Sequence, residues 1–592
     1  MLNRLKLPDD EKLSYFITKS KVLNSDNFER QIRVAVLGSF TLNGLEETIR
    51  VKCFQKKIKC VTFVGGYNQY NQEILKKNSN LYEFAPDVTF LILDTRHVLG
   101  ELFFSPHSIS KTEKENLVQQ KSNEILNLVK SFSECSKSKI IISNLSIPTY
   151  SPYGINEFKQ DLGIQNIIYQ INSILKKELL HEPSAHIFDL SGFISKHGEN
   201  NVFDHKQFFY GDLKISIQYI PSLAEEFMGY IKAIMGLNKK CIVLDLDNTL
   251  WGGIIGEDGF NGIKLGDDPI GRSFVEFQRR LLALNQRGII LAINSKNNYD
   301  DAIEVIKKHP NMILREENFA SIKINWNDKV SNQKEIVEEL NIGSDSMVFF
   351  DDDPINREYM KKSIPEVLTP DIPNDSSQYA KILMEMNDFE ILNITEEDTQ
   401  RQTMYTEQRK RTEFQTQIAD FDEFLKQLNV SVNIKKADDF TIPRISQLTL
   451  KTNQFNLTTR RYQEEEIRKF AMDPKKIVRC AEIIDKFGNN GITGVYIVNK
   501  NNEKEWMIDT FLLSCRVMSR GVEDGILSQI IQKARNDGVK IIKGEFIPTK
   551  KNNPAENFYE NFGFKKQDNF WIFDTDQPIK KPTNLKMKIE NE

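Results

Sequence analysis

Short apolar runs alternate with helical segments through the first third of the chain. Residues 33–37, 88–93, 139–142 and 185–188 each read as a strand. Each is followed by turn or polar residues: Gly38 and Ser39, Asp94, Ser143 and Asn144, and Asp189. Runs this short and this continuously apolar mark strands buried on both faces. Strand-then-helix alternation over about residues 30–235 predicts a doubly wound parallel sheet. The rhythm returns between 238 and 375, with predicted strands at 241–244, 288–293 and 347–350. Proline and polar residues in 369–378 mark its end, and the charged stretch 395–413 reads as a connecting helix. From 415 to 575 the pattern mixes strands (491–498, 506–513, 540–546) with helices (522–536, 554–561). The pattern therefore predicts an α/β chain with domains at 1–235, 238–375 and 415–575, a helical linker at 376–414 and a solvated tail at 576–592. It shows no internal repeat.

The length of 592 residues fits that division. Apolar content of 40% and charged content of 27% describe an ordinary globular protein. A net charge of −4 gives no reason to expect nucleic acid. The six cysteines, at 53, 60, 135, 241, 480 and 515, form no Cys-x-x-Cys pair and no metal spacing, which suits a reducing compartment. The N-terminus has no apolar core of a signal peptide, and no stretch approaches the ~20 apolar residues of a membrane span. The expectation is a cytoplasmic protein without nucleic-acid or membrane partners.

The chemistry concentrates at strand ends. The run Cys241-Ile-Val-Leu-Asp-Leu-Asp-Asn-Thr-Leu-Trp-Gly-Gly253 places Asp245 and Asp247 after a buried strand, where ligands of parallel sheets collect. Two carboxylates there suit a divalent cation and the phosphate oxygens it brings. One can attack phosphorus while its neighbour moves a proton. A second strand ends at Ser295, which could bind a phosphoryl oxygen or cap the next helix. Lys329 opens a helix and, taken alone, would be a solvated amine. A third strand ends in Asp351-Asp-Asp-Pro354, carboxylates that repel unless a cation or solvent offsets them.

In this order, Asp-x-Asp, Ser, Lys and Asp-Asp, the set resembles the haloacid dehalogenase (HAD) superfamily. The resemblance implies that Asp245 is a nucleophile forming an aspartyl-phosphate and Asp247 a general acid/base. Ser295 and Lys329 would hold the phosphoryl oxygens, and Asp245, Asp247, Asp351 and Asp352 would make the Mg²⁺ site. Gly252, Gly253, Gly256 and Gly259 would shape a small flap in place of a full cap domain.

Longer strings narrow the likeness. Leu250-Trp-Gly-Gly253, Ser295-Lys-Asn-Asn298, Leu314-Arg-Glu-Glu317, Ile324-Asn-Trp326, Lys451-Thr-Asn-Gln-Phe-Asn-Leu-Thr-Thr-Arg-Arg461 and Asp509-Thr-Phe-Leu-Leu-Ser-Cys-Arg516 resemble the FkbH-like proteins of polyketide and surface-glycan pathways. That resemblance implies three parts: a flavodoxin- or SGNH-like doubly wound sheet, a HAD Rossmann-like domain with minimal cap, and a GNAT-like α+β domain. It implies dephosphorylation of an acyl phosphate of the 1,3-bisphosphoglycerate kind and transfer of the glyceryl-like group to an acyl carrier protein. In the family a cysteine just before the second-motif serine is thought to carry the acyl group. Here that position is Asn294, which cannot form a thioester. This departure keeps an alternative open: a phosphatase for another phosphorylated metabolite, with the GNAT-like part acylating a sugar.

In the GNAT-like part, the loop Arg516–Gly525 would cradle a pyrophosphate, with Arg520, Gly521 and Gly525 as the binding residues of acyl-CoA or a phosphopantetheine arm. Tyr559 is either an acid beside the leaving thiol or a core residue. In the first part Ser39 sits where an SGNH nucleophile would be and Asn144 where an oxyanion donor would be. The closing Asp-x-x-His is missing: Asp204 and His205 are adjacent. This part is expected to be a scaffold or binding domain.

Overall fold

The structure is a computed structural model. It describes residues 12–394 except 26, and 420–590 except 581 and 583, with 404, 405, 407, 411 and 414 in the stretch between. The chain divides into two compact units, residues 1–231 and 232–592.

The first unit is a five-stranded, wholly parallel sheet. Its strands are β1 (Arg30–Gly38), β2 (Ile58–Val64), β3 (Val88–Ile92), β4 (Lys139–Ser143) and β5 (Ala185–Phe188), in the order β2-β1-β3-β4-β5. All five residues of β3 and of β4 are buried, as strands covered on both faces must be. The helix Lys111–Cys135 starts with a capping box between Ser110 and Glu113 and lays Val118, Ile125, Leu128, Val129 and Phe132 against the sheet.

The second unit holds two sheets. The smaller is parallel, with β6 (Cys241–Leu244), β7 (Ile290–Ser295), β8 (Phe319–Ile324) and β9 (Met347–Phe350) in the order β8-β7-β6-β9. Alternate residues of β6 serve different cores: Ile242 and Leu244 face one cluster, Cys241 and Val243 the other. Tyr379, Leu383 and Phe389 pack into the first of these clusters. The short helices after residue 375 therefore belong to this fold, beyond the boundary expected from sequence. The segment 395–413, expected as a connecting helix, lies largely outside the described residues.

The larger sheet is mixed. It comprises β10 (Val430–Lys436), β11 (Phe455–Asn456), β12 (Lys476–Asp485), β13 (Gly488–Lys500), β14 (Glu505–Leu513), β15 (Ile541–Glu545), β16 (Lys565–Gln567), β17 (Phe570–Asp574) and β18 (Leu585–Ile589). Most pairs are antiparallel; β14–β15 and β10–β18 are parallel. Helices Ile442–Lys451 and Glu464–Met472 cover one face, and helix Val522–Asn536 with Phe558–Phe562 covers the other. The three-part α/β class expected from sequence is present. The tail differs: Leu585–Ile589 is a strand paired along β10 from Val430 to Ile434, not a solvated extension. Its Leu-Lys-Met-Lys-Ile alternation supplies an apolar face that the adjoining lysines mask in the sequence. Among the described residues no helix is long and apolar enough to cross a membrane.

Candidate active site

β6 and β9 are neighbours in register, so Asp245 and Asp351 leave the sheet side by side; the Asp245 N–H donates to the Phe350 carbonyl at 3.0 Å. Carboxylate oxygens of Asp245, Asp351 and Asp352 all lie within 4.8 Å of one another. Lys329, the first residue of helix Lys329–Leu340, sends its ammonium into this cluster, 2.8 Å from Asp245 Oδ2 and 2.6 Å from Asp351 Oδ2. It is 4% exposed, so its reading as a solvated amine does not hold. Burial alone would lower its pKa, but Asp245 and Asp351 outweigh burial and hold it above the ordinary value.

One ammonium among three carboxylates leaves negative charge unbalanced. Burial, then the field of Asp245, pushes Asp351 up to about 6. Burial, with Asp245 and Asp351 beside it, pushes Asp352 up to about 7. Asp245 Oδ1 is buried and has no hydrogen-bond partner among the described residues. An orphaned carboxylate oxygen facing two others fits a hard divalent cation, which takes oxygen ligands. The third acid of the motif serves the backbone instead. Asp353 caps helix Pro354–Ser363 by accepting from the Ile355 N–H at 2.8 Å.

Asp247 does not join this cluster through its side chain. Oδ1 accepts from the Trp251 indole N–H at 2.8 Å and the Ile255 N–H at 3.1 Å, and Oδ2 from Asn297 Nδ2 at 3.0 Å. These three donors turn its carboxylate toward the flap, so the metal role expected for this side chain is not supported by its placement. Burial raises its pKa, opposed by those hydrogen bonds, which suits a proton carrier. Trp251 is fully buried, and Gly252 pairs with Lys264 in both directions, at 3.0 and 2.7 Å. The flap is therefore a pinned loop of about one turn and one bridge. A Cβ at Gly252 would lie 2.8 Å from the Phe274 ring, which explains a glycine there.

Ser295 ends β7, is buried, and accepts from Asn297 Nδ2 at 3.3 Å. The following helix is capped by Asn298, which accepts from the Asp300 N–H at 3.1 Å, so the capping alternative for Ser295 falls away. Asn294 points to the other face of the strand. Its Nδ2 donates to the Lys329 carbonyl at 2.8 Å and its Oδ1 accepts from Asn332 Nδ2 at 3.2 Å. Sequence reasoning missed Asn297, Trp251, Thr249, which donates to Asp352 at 3.4 Å, and Arg357, which holds the carbonyls of Asp351 and Asp352 at 2.9 and 2.6 Å.

The loop before helix Val522–Asn536 is arranged differently from an open phosphate cradle. Arg520 is buried, donating to Asp485 at 3.2 Å and to the Arg516 carbonyl at 2.5 Å. Gly521 is the left-handed cap at φ 77°. A Cβ at Gly525 would lie 2.8 Å from Leu585, because the tail strand closes over the helix start. Glu523 sits in the first turn with Oε2 buried and unpartnered among the described residues, an unfavourable neighbour for phosphate. β11 pairs with β14 at Leu512 and Leu513, and Leu457 accepts from the Ile547 N–H at 2.8 Å. The chain's own residues 455–457 thus lie along the end of β14. Tyr559 is 1% exposed, and a Cβ at Gly544 would lie 2.3 Å from its ring. Its place is the core.

In the first unit, Ser39 Oγ accepts from the Asp94 N–H at 2.7 Å, and Ser39 is 4% exposed. Asn144 donates to Asp189 at 2.6 Å. Asp204 accepts from the Lys206 and Gln207 N–H groups and so caps its own helix. Residues 33–232 match the FkbH N-terminal domain. In this FkbH N-terminal domain the serine, asparagine and aspartates are thus tied to one another and to backbone.

The N-terminal part of the Bacteroides fragilis protein BF1531, which contains a phosphatase domain and was solved complexed with Mg, is 29% identical to this chain. The likeness covers 64% of this chain and 99% of that one, with a TM-score of 0.60. A putative GNAT-family acetyltransferase from Desulfovibrio desulfuricans is 12% identical, covering 25% of this chain and 99% of that one, with a TM-score of 0.20. The ribosomal-protein-S18-alanine N-acetyltransferase of Escherichia coli is 13% identical, covering 24% and 90%, with a TM-score of 0.19. No curated protein matches this chain.

Proposed function

We propose that the second unit is a Mg²⁺-dependent phosphatase of the aspartate-nucleophile type, acting on a phosphorylated acyl donor. The observation that carries this reading is the set Asp245, Asp351 and Asp352 around a single buried Lys329. The Mg-complexed phosphatase domain of the 29% identical relative supports it. Asp245, Asp351 and Asp352 would hold the cation, which supplies charge neutralisation for the phosphoryl oxygens. Asp245 attacks phosphorus, the P–O bond to the leaving group breaks, and Asp247 hands its proton to the departing oxygen. Asp247, now ionised, then takes a proton from the water that attacks the aspartyl-phosphate, releasing phosphate and restoring Asp245. Ser295 and Lys329 stabilise the charge on the transferred group.

Attack at phosphorus cannot by itself deliver an acyl group, because it spends the activated bond. A donor of the 1,3-bisphosphoglycerate kind carries two phosphates and resolves this. Asp245 removes the phosphate ester, while a carrier thiol attacks the acyl-phosphate carbonyl and expels the other phosphate. Direct attack by the carrier suits a chain whose residue 294 is an asparagine turned toward helix Lys329–Leu340. Incubation with Mg²⁺, 1,3-bisphosphoglycerate and an acyl carrier protein should give phosphate and a glyceryl-loaded carrier by mass spectrometry. Phosphate without a loaded carrier overturns the acyl half and favours a second reading. In that reading the enzyme dephosphorylates another metabolite, such as a sugar phosphate, and the GNAT-like part acylates a sugar. Asn294 motivates it, and a substrate screen without turnover of non-acyl phosphates would overturn it.

A further inference from the structure

A cavity of about 570 Å³ lies in the second unit, between the start of the four-stranded sheet and the end of β14. Lys240 precedes β6 and Asp345 precedes β9, so the cavity opens at the edge opposite to the one that carries Asp245. The Asp245 cluster contributes nothing to its lining. Its walls are tied together: Asn341 Nδ2 donates to the Cys515 carbonyl at 3.1 Å, and Lys551 pairs with Asp345.

The lining is strongly cationic. Lys240, Arg444, Lys451, Arg516, Lys550 and Lys551 face two carboxylates, Asp345 and Glu366. Asp345 is already held by Lys551, and hydrogen bonding and charge from that lysine outweigh burial to keep its pKa below the ordinary value. Arg444 and Arg516 are 5% and 7% exposed, so two guanidinium groups are recessed in the wall. Each is fixed in place: Arg444 donates from Nε to the Ile492 carbonyl at 3.2 Å and from Nη1 to Gln447, and Arg516 donates from Nε to Ser514 Oγ at 3.4 Å and from Nη1 to Met404 Sδ at 2.6 Å. Rigid, recessed arginines among lysines match the geometry and charge of phosphate oxygens. The volume is that of an ordinary small-ligand pocket. The excess positive charge disfavours a metal cation, and the recess favours a small ligand over a protein surface.

We propose that this cavity binds a phosphate-bearing organic ligand, at a site separate from the carboxylate centre. The shared chemistry is a phosphate ester; a small phosphorylated metabolite and a phosphopantetheine arm are its two sources. The test is titration calorimetry on the full chain without Mg²⁺, using glycerol 3-phosphate and 4′-phosphopantetheine, each beside its phosphate-free counterpart. At least one phosphorylated probe should bind at least about tenfold tighter than its counterpart, and the tighter probe identifies the source. Lys451→Glu should weaken that binding at least about tenfold, and Asp245→Asn should leave it in place. Lys550→Glu, at an exposed position, gives the same readout if Lys451→Glu fails to fold. Equal binding of phosphorylated and phosphate-free probes, or no binding, overturns the proposal. So does binding that Asp245→Asn abolishes and both lysine reversals spare, which would place the probe at the carboxylate centre. Binding of a polyglutamate peptide in place of either small phosphate overturns it in favour of an acidic protein partner. None of these readouts uses turnover, so failure here is distinct from failure of the phosphatase reading.

Discussion

At the carboxyl end of the five-stranded sheet, Lys214 is mostly buried against Asp94, with Glu199 and Arg96 close by. At the carboxyl end of the four-stranded sheet, Lys329 is buried among three. The two lysines respond in opposite directions. Burial wins at Lys214 and lowers its pKa against the pull of Asp94. At Lys329 two close carboxylates outweigh burial and raise it. Two cations and two carboxylates at Lys214 balance, and leave nothing for a further ion to offset. The one-to-three cluster is not balanced, and its surplus negative charge is what a divalent cation can offset, bringing phosphoryl oxygens with it. The difference separates a balanced cluster from an unbalanced one, even though both sheets present Ser and Asp at the same kind of strand end with a lysine against them.

The largest effect expected from this contrast is at the nucleophile. Asp245→Asn should lower Mg²⁺-dependent phosphate release at least about 10³-fold, as loss of a covalent nucleophile does. Ser39→Ala should change it less than about twofold. Comparable losses in both variants, measured with one phosphate ester, would erase the distinction between the two sheets. Next come the lysines. Lys329→Met removes the charge facing the transferred group and should cost about 10²-fold in kcat. Lys214→Met leaves Asp94 buried without its lysine and should destabilise the first unit by about 3–5 kcal/mol in urea unfolding, with phosphate release per folded molecule unchanged.

A smaller effect is expected one step back from the chemistry. Asn294 holds the carbonyl of Lys329 and is itself held by Asn332, which also donates to Asn325 at 3.0 Å. Asn294→Ala should loosen the start of helix Lys329–Leu340 and lower kcat about tenfold with little change in KM, from loss of a buried hydrogen bond. Asn294→Cys should not gain a detectable acyl-enzyme by mass spectrometry, because the side chain at 294 faces the helix. A thioester on that cysteine would show that position 294 reaches the substrate after all.

The parts of this site that the sequence made legible are those written in contiguous strings at strand ends. Asp245, Ser295 and Asp351 each follow an apolar run, and β6, β9 and helix Val522–Asn536 have the bounds their periodicity predicts. The parts it hid depend on pairing across distance. Asn297 reaches Asp247 50 residues away, and Thr249 reaches Asp352 across 103. β2 and β8 each carry a lysine at a half-buried position, so neither shows the continuous apolar run that marks β3 or β4. β18 became a strand only because β10 offered it a partner. Whether Asp247 would share the metal was also beyond local reading, since Trp251, Ile255 and Asn297 decide where its carboxylate points.

The smallest expected effect tests the surplus charge itself. Burial, with Asp245 beside them, pushes Asp351 up to about 6 and Asp352 up to about 7 in the fold, above the ordinary carboxylate value of 3.8. Between about pH 4 and 7 the metal-free fold therefore binds more protons than the unfolded chain, and its stability falls as pH rises through that window. Mg²⁺ must displace those protons, so its stabilising effect should grow over the same range. In thermal unfolding, 10 mM Mg²⁺ should raise Tm by about 5 °C at pH 8 and by less than about 2 °C at pH 5.5. Asp352→Asn should shrink the shift at pH 8, and Lys214→Met should not alter it. A pH-independent Mg²⁺ shift would mean that the cation meets carboxylates already ionised at pH 5.5, and the unbalanced cluster would lose its claim to differ from the paired one.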